Sequence, residues 1–275
     1  MPCPIAVSWP ASSLGRMRRL RIAMGTFVAL EAQAKCATDA LAAIDAAFIA
    51  LARIEALLHP RRVGSDLQRI NAAPVDERIE IHASTFEVLM LARRLYELTS
   101  GVFDPCVPDK PGRLEHLEMH PARPQGVLSG TNWVRLRLPL DLDLGGIAKG
   151  YAIDRAVEAL RAGGCSGGLV NAGGDLRLYG PERQMILLRN GAGSDRALAL
   201  GNTALAVSDA DAGFRPPEHR GYYVRGTRPA VLGRRRAAVL APSALVADAL
   251  TKCVLLCPQE ASARILRDFG ASLVA

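Results

Sequence analysis

The stretch from Leu169 to Ser208 sets the tightest limit on the fold. It holds five short strand candidates, Leu169–Asn171, Asp175–Tyr179, Met185–Arg189, Ala197–Leu200 and Ala204–Ser208. Their glycine-rich connections predict an antiparallel meander. Helical periods surround it. Gln33–Leu58 repeats alanine, leucine and isoleucine at spacings of three and four, and Pro60 follows its end. His82–Ser100 keeps the same period through Phe86, Leu89, Met90, Arg93 and Tyr96 and closes at Gly101. Ile147–Ala162, stopped by Gly163 and Gly164, reads as a further helix, as do Pro242–Leu256 and Gln259–Phe269. Strands are expected at Arg19–Glu31, interrupted at Gly25, and at Trp133–Leu142, Ala237–Leu240 and Ser272–Ala275, with a short one at Tyr222–Arg225. Ser65–Asn71 is a turn-and-helix connector, and Pro105–Thr131 reads as loop. Strands and helices mix without strict alternation, so the class is α+β. The expected organisation is one composite domain over 19–275, with mixed or antiparallel sheets and flanking helices. An N-terminal extension, residues 1–18, is expected to be poorly ordered.

Composition narrows the function. The chain has 275 residues, 49% apolar and 22% charged, which excludes wholesale disorder. No window approaches the uninterrupted apolar length of a membrane span. The net charge is +7, with clusters at Arg16–Arg21, His59–Arg62 and Arg234–Arg236, yet aromatics are only 5%. Nucleic-acid binding is therefore not expected, whereas a small phosphate-bearing ligand fits the charge. Taken singly, each cluster reads as solvated arginines. Six dispersed cysteines form no C-x-x-C pair and no zinc spacing, which suggests a reducing compartment. The first residues carry Pro2, Pro4 and Pro10 and no basic start, which is not signal-peptide order, so a cytoplasmic location is expected.

The densest chemical segment is Asp141–Asp154, D-L-D-L-G-G-I-A-K-G-Y-A-I-D. An acidic strand end, two glycines and a helix start would let backbone N–H groups approach a phosphate, with positive charge from the helix N-terminus. Lys149 in the first turn can neutralise a phosphate, and Asp143 can accept from a ligand N–H or hold a metal. Thr99–Val107 places Asp104 and Pro105 just after a helix cap. Gly167–Gly174, followed by Asp175, is a strand with glycines at both ends. Each alone reads as a turn; all three in order point to one ligand site.

Six segments in order carry a family resemblance. They are M-G-T-F (24–27), S-D-L-Q-R-I-N (65–71), T-S-G-V-F-D-P (99–105), D-L-G-G-I-A-K-G-Y-A-I-D (143–154), L-V-N-A-G-G-D (169–175) and A-D-A-L-T-K (247–252). From about residue 20 to the end, the chain resembles the ApbE family of FAD:protein FMN transferases. The resemblance implies a transferase that splits the FAD pyrophosphate, moves FMN onto a threonine or serine hydroxyl of an acceptor protein and releases AMP, with magnesium at the diphosphate. It implies that Met24, Val102, Phe103, Asp104, Asp143 and Lys149 touch FAD, and that Gly146, Asp248 and Thr251 hold the magnesium. Residues 248, 251 and 252 would share one helix face, suited to a hard cation bridging phosphate oxygens.

The chain also departs from the family pattern. Lys252 stands where the family has a threonine, A-V-S-D-A-D-A-G-F (206–214) replaces an A-T-S-G-x-Y stretch, and Y-Y-V-R-G-T-R-P (222–229) replaces an H-x-x-D-P-x-T-G stretch. His219 is out of register with that histidine, and the resemblance assigns no catalytic residue. Besides a generic α+β domain whose motif order is coincidence, two readings follow. An active transferase is favoured by Asp143, Lys149 and Asp248; the alternative is a degenerate FAD-binding protein with little or no transfer activity.

Overall fold

Met24 and Gly25, both at positive φ (51° and 70°), turn strand β2 (Arg16–Ala23) back onto β3 (Thr26–Gln33). The interrupted strand expected at 19–31 is thus a two-residue hairpin. In the computed structural model the described residues are 5–8, 15–122, 130–189, 195–209, 224–225, 228–229 and 236–274. Within the first eighteen positions, Ile5–Ser8 forms β1.

The helices match their sequence periods with small shifts at the ends. Gln33 pairs with Gly167 at the end of β3, so α1 (Ala37–Leu58) begins only after Cys36, whose Sγ accepts the Asp39 N–H at 3.5 Å. The connector becomes α2 (Asp66–Ala72), capped by the Ser65 hydroxyl. After it come β4 (Arg78–Ile81), which the sequence patterns did not reveal, and α3 (Ala83–Leu98). The segment expected as loop over 105–131 contains a 3-10 turn and β5 (Leu117–His120). Both β4 and β5 pair antiparallel with β6 (Asn132–Leu136). That strand is shorter than the expected Trp133–Leu142 because Pro139 lacks the N–H a ladder needs. Leu142 instead forms an isolated bridge to Cys106.

The remaining elements are α4 (Ala148–Ala162), β7 (Gly167–Ala172), β8 (Asp175–Tyr179), β9 (Gln184–Leu188), β10 (Arg196–Leu200) and β11 (Ala204–Asp209). The two-residue ladder of β12 (Val224–Arg225) and β13 (Arg228–Pro229) follows. Next come β14 (Arg236–Ala241), α5 (Ala244–Leu256), α6 (Gln259–Asp268) and β15 (Ser272–Leu273). The main sheet runs β15-β14-β11-β8-β7-β3-β2, every neighbouring pair antiparallel. The expected simple meander is corrected in one respect: β9 pairs with β10 and β1 in a second sheet, and β11 returns to β8.

The reason lies in the two faces of β8. Leu176 and Leu178 point away from the helices and need an apolar cover, which Ile186, Leu188 and Leu200 supply in a small second core. Asp175, Arg177 and Tyr179 point the other way, toward the large core where α1, α4 and α5 pack.

Helices α4 and α5 cross very closely. A Cβ built on Gly150 would stand 2.2 Å from the Ala244 carbonyl oxygen and 2.8 Å from the Asp248 Cβ. Only hydrogen fits there, and backbone cannot yield as a flexible side chain can. Gly150→Ala is therefore expected to lower unfolding free energy by about 1–3 kcal/mol. An unchanged urea midpoint would show that the crossing is looser than described.

Candidate functional site

The crossing of α4 and α5 builds the site by reciprocal capping. Three early N–H groups of α5 are accounted for. Those of Ala244 and Leu245 donate to the two oxygens of Asp154, each at 2.9 Å, and that of Val246 donates to the Ser243 hydroxyl at 3.2 Å. In return, Asp248 on α5 accepts the Gly150 N–H in the first turn of α4 at 3.0 Å. Each helix thus places a carboxylate at the other's N-terminus, where the helix dipole favours negative charge.

Strand β8 braces the pair through two residues on one face. Arg177 pairs with Asp154, and Asp175 pairs with Lys149. The Asp175 carboxylate is buried and also accepts the Val207 N–H at 3.0 Å, which ties β11 to the site. Lys149 Nζ lies 3.8 Å from Asp248 Oδ2. Lys252, one turn beyond Asp248, places its ammonium on the other oxygen of that carboxylate and donates to the Asp248 carbonyl at 3.1 Å. Burial pushes the Lys149 ammonium below the ordinary lysine range; the Asp248 carboxylate opposes that shift and the Lys252 charge adds to it. Two lysines and two aspartates therefore form one chain of ion pairs at a helix N-terminus.

A second cluster carries Asp143. Its carboxylate accepts the Gly145 N–H at 2.8 Å, shaping the Gly-Gly turn that leads into α4, and its own N–H donates to the Pro105 carbonyl at 2.9 Å. That bond, with Val107 N–H donating to the Asp141 carbonyl at 2.7 Å, lays the 102–107 segment along the strand–helix junction. Asp104 is fixed there by the Cys106 N–H at 2.9 Å and by Arg113, 3.8 Å away. Burial raises its pKa, and those two contacts work against the rise. Asn71 exchanges two hydrogen bonds with the Leu142 backbone, at 3.0 and 2.8 Å, as a neighbouring strand would.

The sequence-derived residues fall into place as follows. Lys149, Asp248 and Thr251 converge at the helix crossing. Val102, Phe103, Asp104 and Asp143 converge at the junction, with Gly146 buried in the turn that joins the two groups. The Phe103 side chain is fully buried in the core. Met24 sits on the hairpin turn, and the next residue but one, Thr26, packs on Gly173; a Cβ there would stand 2.7 Å from Thr26 Oγ1. The sequence reading overlooked Asp175, Asp154 and Ser208 as site residues. Asp175 and Arg177 were detectable as an alternating charged pair on an otherwise apolar strand. The 210–223 stretch, which includes His219, lies outside the described residues, as do the side chains of 224–229.

The donor set at Asp248 does not fit a resident magnesium ion as it stands. One Asp248 oxygen carries the Lys252 ammonium and the other the Gly150 N–H. The Thr251 hydroxyl donates to the Asp248 carbonyl at 2.7 Å and meets the Ser208 hydroxyl at 2.7 Å. Among the described residues no three His, Cys, Asp or Glu side chains group to hold a metal. Magnesium requires near-octahedral oxygen coordination, and an ammonium is a donor without a lone pair.

An α+β fold with Lys149 and Lys252 paired to aspartates where α4 and α5 cross thus defines the class. The sequence model of the ApbE family matches residues 24–274, and the chain belongs to that family. An FAD:protein FMN transferase of Treponema pallidum (strain Nichols) is 26% identical over 295 residues, covering 91% of this chain and 81% of that protein. One of Chlamydia pneumoniae is 28% identical over 177 residues, 58% of this chain; the match spans only 54% of that relative's length. The fold is also that of the Pseudomonas stutzeri flavinyl transferase ApbE in its apo form, with a TM-score of 0.77 at 18% identity over 94% of this chain and 91% of that one.

The reciprocal caps can be tested directly. Asp154→Asn keeps the shape but removes the charge that caps α5 and pairs with Arg177. It should cost about 3 kcal/mol of stability, as expected when a buried pair is broken. A loss under about 1 kcal/mol, the range of an exposed pair, would mean that Asp154 does not hold the crossing.

Proposed function

We propose that this chain is an FAD:protein FMN transferase. The observation that carries the reading is the pair of ammonium groups, Lys149 and Lys252, held beside the α4 N-terminus in a chain of the ApbE family. In this reading the dinucleotide diphosphate, with its two negative charges, lies against these two ammonium groups. In the reaction, the hydroxyl oxygen of an acceptor threonine or serine attacks the phosphorus on the FMN side of the FAD diphosphate. A phosphate ester to the acceptor forms, the bond to the bridging oxygen breaks, and AMP departs with that oxygen. The hydroxyl proton is released to the leaving phosphate or to water.

Each residue has a part in this reading. Lys149 stabilises charge that grows on the diphosphate as the bond breaks. Asp143 and Asp104 shape the Gly-Gly turn and its neighbouring segment, so that backbone N–H groups face the flavin nucleotide. Met24, Val102 and the Phe103 backbone border it. The dispersed cysteines, with Cys106 and Cys253 buried thiols whose pKa values burial raises, favour a cytoplasmic setting. No helix among the described residues is long and apolar enough to cross a membrane.

Incubation with FAD and a flavin-acceptor domain should give a fluorescent acceptor band on a denaturing gel, with one AMP released per flavin attached. Lys149→Met should slow transfer by about 10²-fold, the usual cost of removing one charge-stabilising donor. FAD binding without any fluorescent band would leave a flavin-binding protein in place of a transferase. Failure to bind FAD at all would refute the reading.

A further inference from the structure

We infer that Lys252 is a built-in substitute for a divalent ion, so that the chain binds the FAD diphosphate without metal. This rests on the transferase reading above and goes beyond it by assigning the counter-charge to a particular side chain. Lys252 is 6% exposed, and its ammonium stays within reach of the Asp248 carboxylate and carbonyl. An ammonium has three donors. Two meet Asp248, and the third is left for a phosphate oxygen.

The ion pairs show why a metal does not take that place. Asp175 carries Lys149, Asp248 carries Lys252, and Lys149 also stands 3.8 Å from Asp248. The four groups sum to zero before any ligand arrives. A magnesium ion at Asp248 would have to expel Lys252 from a buried position, because the ammonium covers the carboxylate oxygen that the Gly150 N–H does not use. A diphosphate asks for none of this. Its oxygens take the remaining N–H donors of two ammonium groups that are already held in place.

The test is FAD affinity, read by quenching of flavin fluorescence, in a chelator and in millimolar magnesium. For the wild type the two values should agree within about twofold, far less than the tenfold that about 1.4 kcal/mol of metal contact would produce. Lys252→Thr should lose about tenfold or more in chelator and regain it with magnesium, because the threonine frees Asp248 and adds an oxygen. Lys252→Met should lose as much and regain nothing. Lys252→Arg keeps the charge and should bind FAD without metal, which guards against the threonine and methionine variants failing to fold. A wild type whose affinity falls about tenfold on chelation, or a Lys252→Thr variant that binds equally well in chelator, would overturn the assignment. Those results leave FAD binding intact; a wild type that binds no FAD in either condition instead removes the transferase reading on which this one rests.

Discussion

Everything at the site depends on two helices that cap each other. Asp154 leaves α4 to hold the first N–H groups of α5, and Asp248 leaves α5 to hold the first turn of α4. This arrangement requires the helices to touch backbone to backbone, which is why Gly150 sits at the contact. Carboxylates held this way have no freedom to follow a ligand. Their positions are fixed by the same bonds that satisfy the helix ends, so the site is ordered before a substrate arrives.

Strand β8 turns that crossing into an electrostatic device. Its alternation sends Leu176 and Leu178 into one core and Asp175 and Arg177 into the other, toward α4. Arg177 neutralises the structural carboxylate, Asp154, while Asp175 holds Lys149, the lysine proposed to meet the diphosphate. The division of labour is set by position along one strand. Lys252 completes it with a cation supplied by the chain itself. Around this centre, the 102–107 segment and the Asn71 side chain pin the strand–helix junction, which fixes the Gly-Gly turn.

Much of this was legible in the sequence, because the elements obey local rules. The long helices announced themselves by their period and their glycine or proline stops, and the five short strands by their glycine connections. The family was legible because Asp143, Lys149 and Asp248 sit in ordered motifs. What stayed hidden is what depends on distant pairing. Nothing near Arg78 or Leu117 signals that both will border Asn132–Leu136. The detour of β9 and β10 into a second sheet follows from the apolar back of β8, which local alternation alone does not locate. The reciprocal caps join residues 90 or more positions apart, so Asp154 read as the end of a motif and not as the cap of another helix. Lys252 was visible as a departure; its seat on Asp248 needed the helix geometry.

The central claim is that the two lysines receive the diphosphate of FAD. A crystal structure of the chain with FAD tests it most directly. The account predicts diphosphate oxygens at about 3 Å from both Lys149 Nζ and Lys252 Nζ, the distance of a charge-assisted hydrogen bond. A diphosphate bound elsewhere, with neither ammonium within about 6 Å, too far for a hydrogen bond, would contradict it.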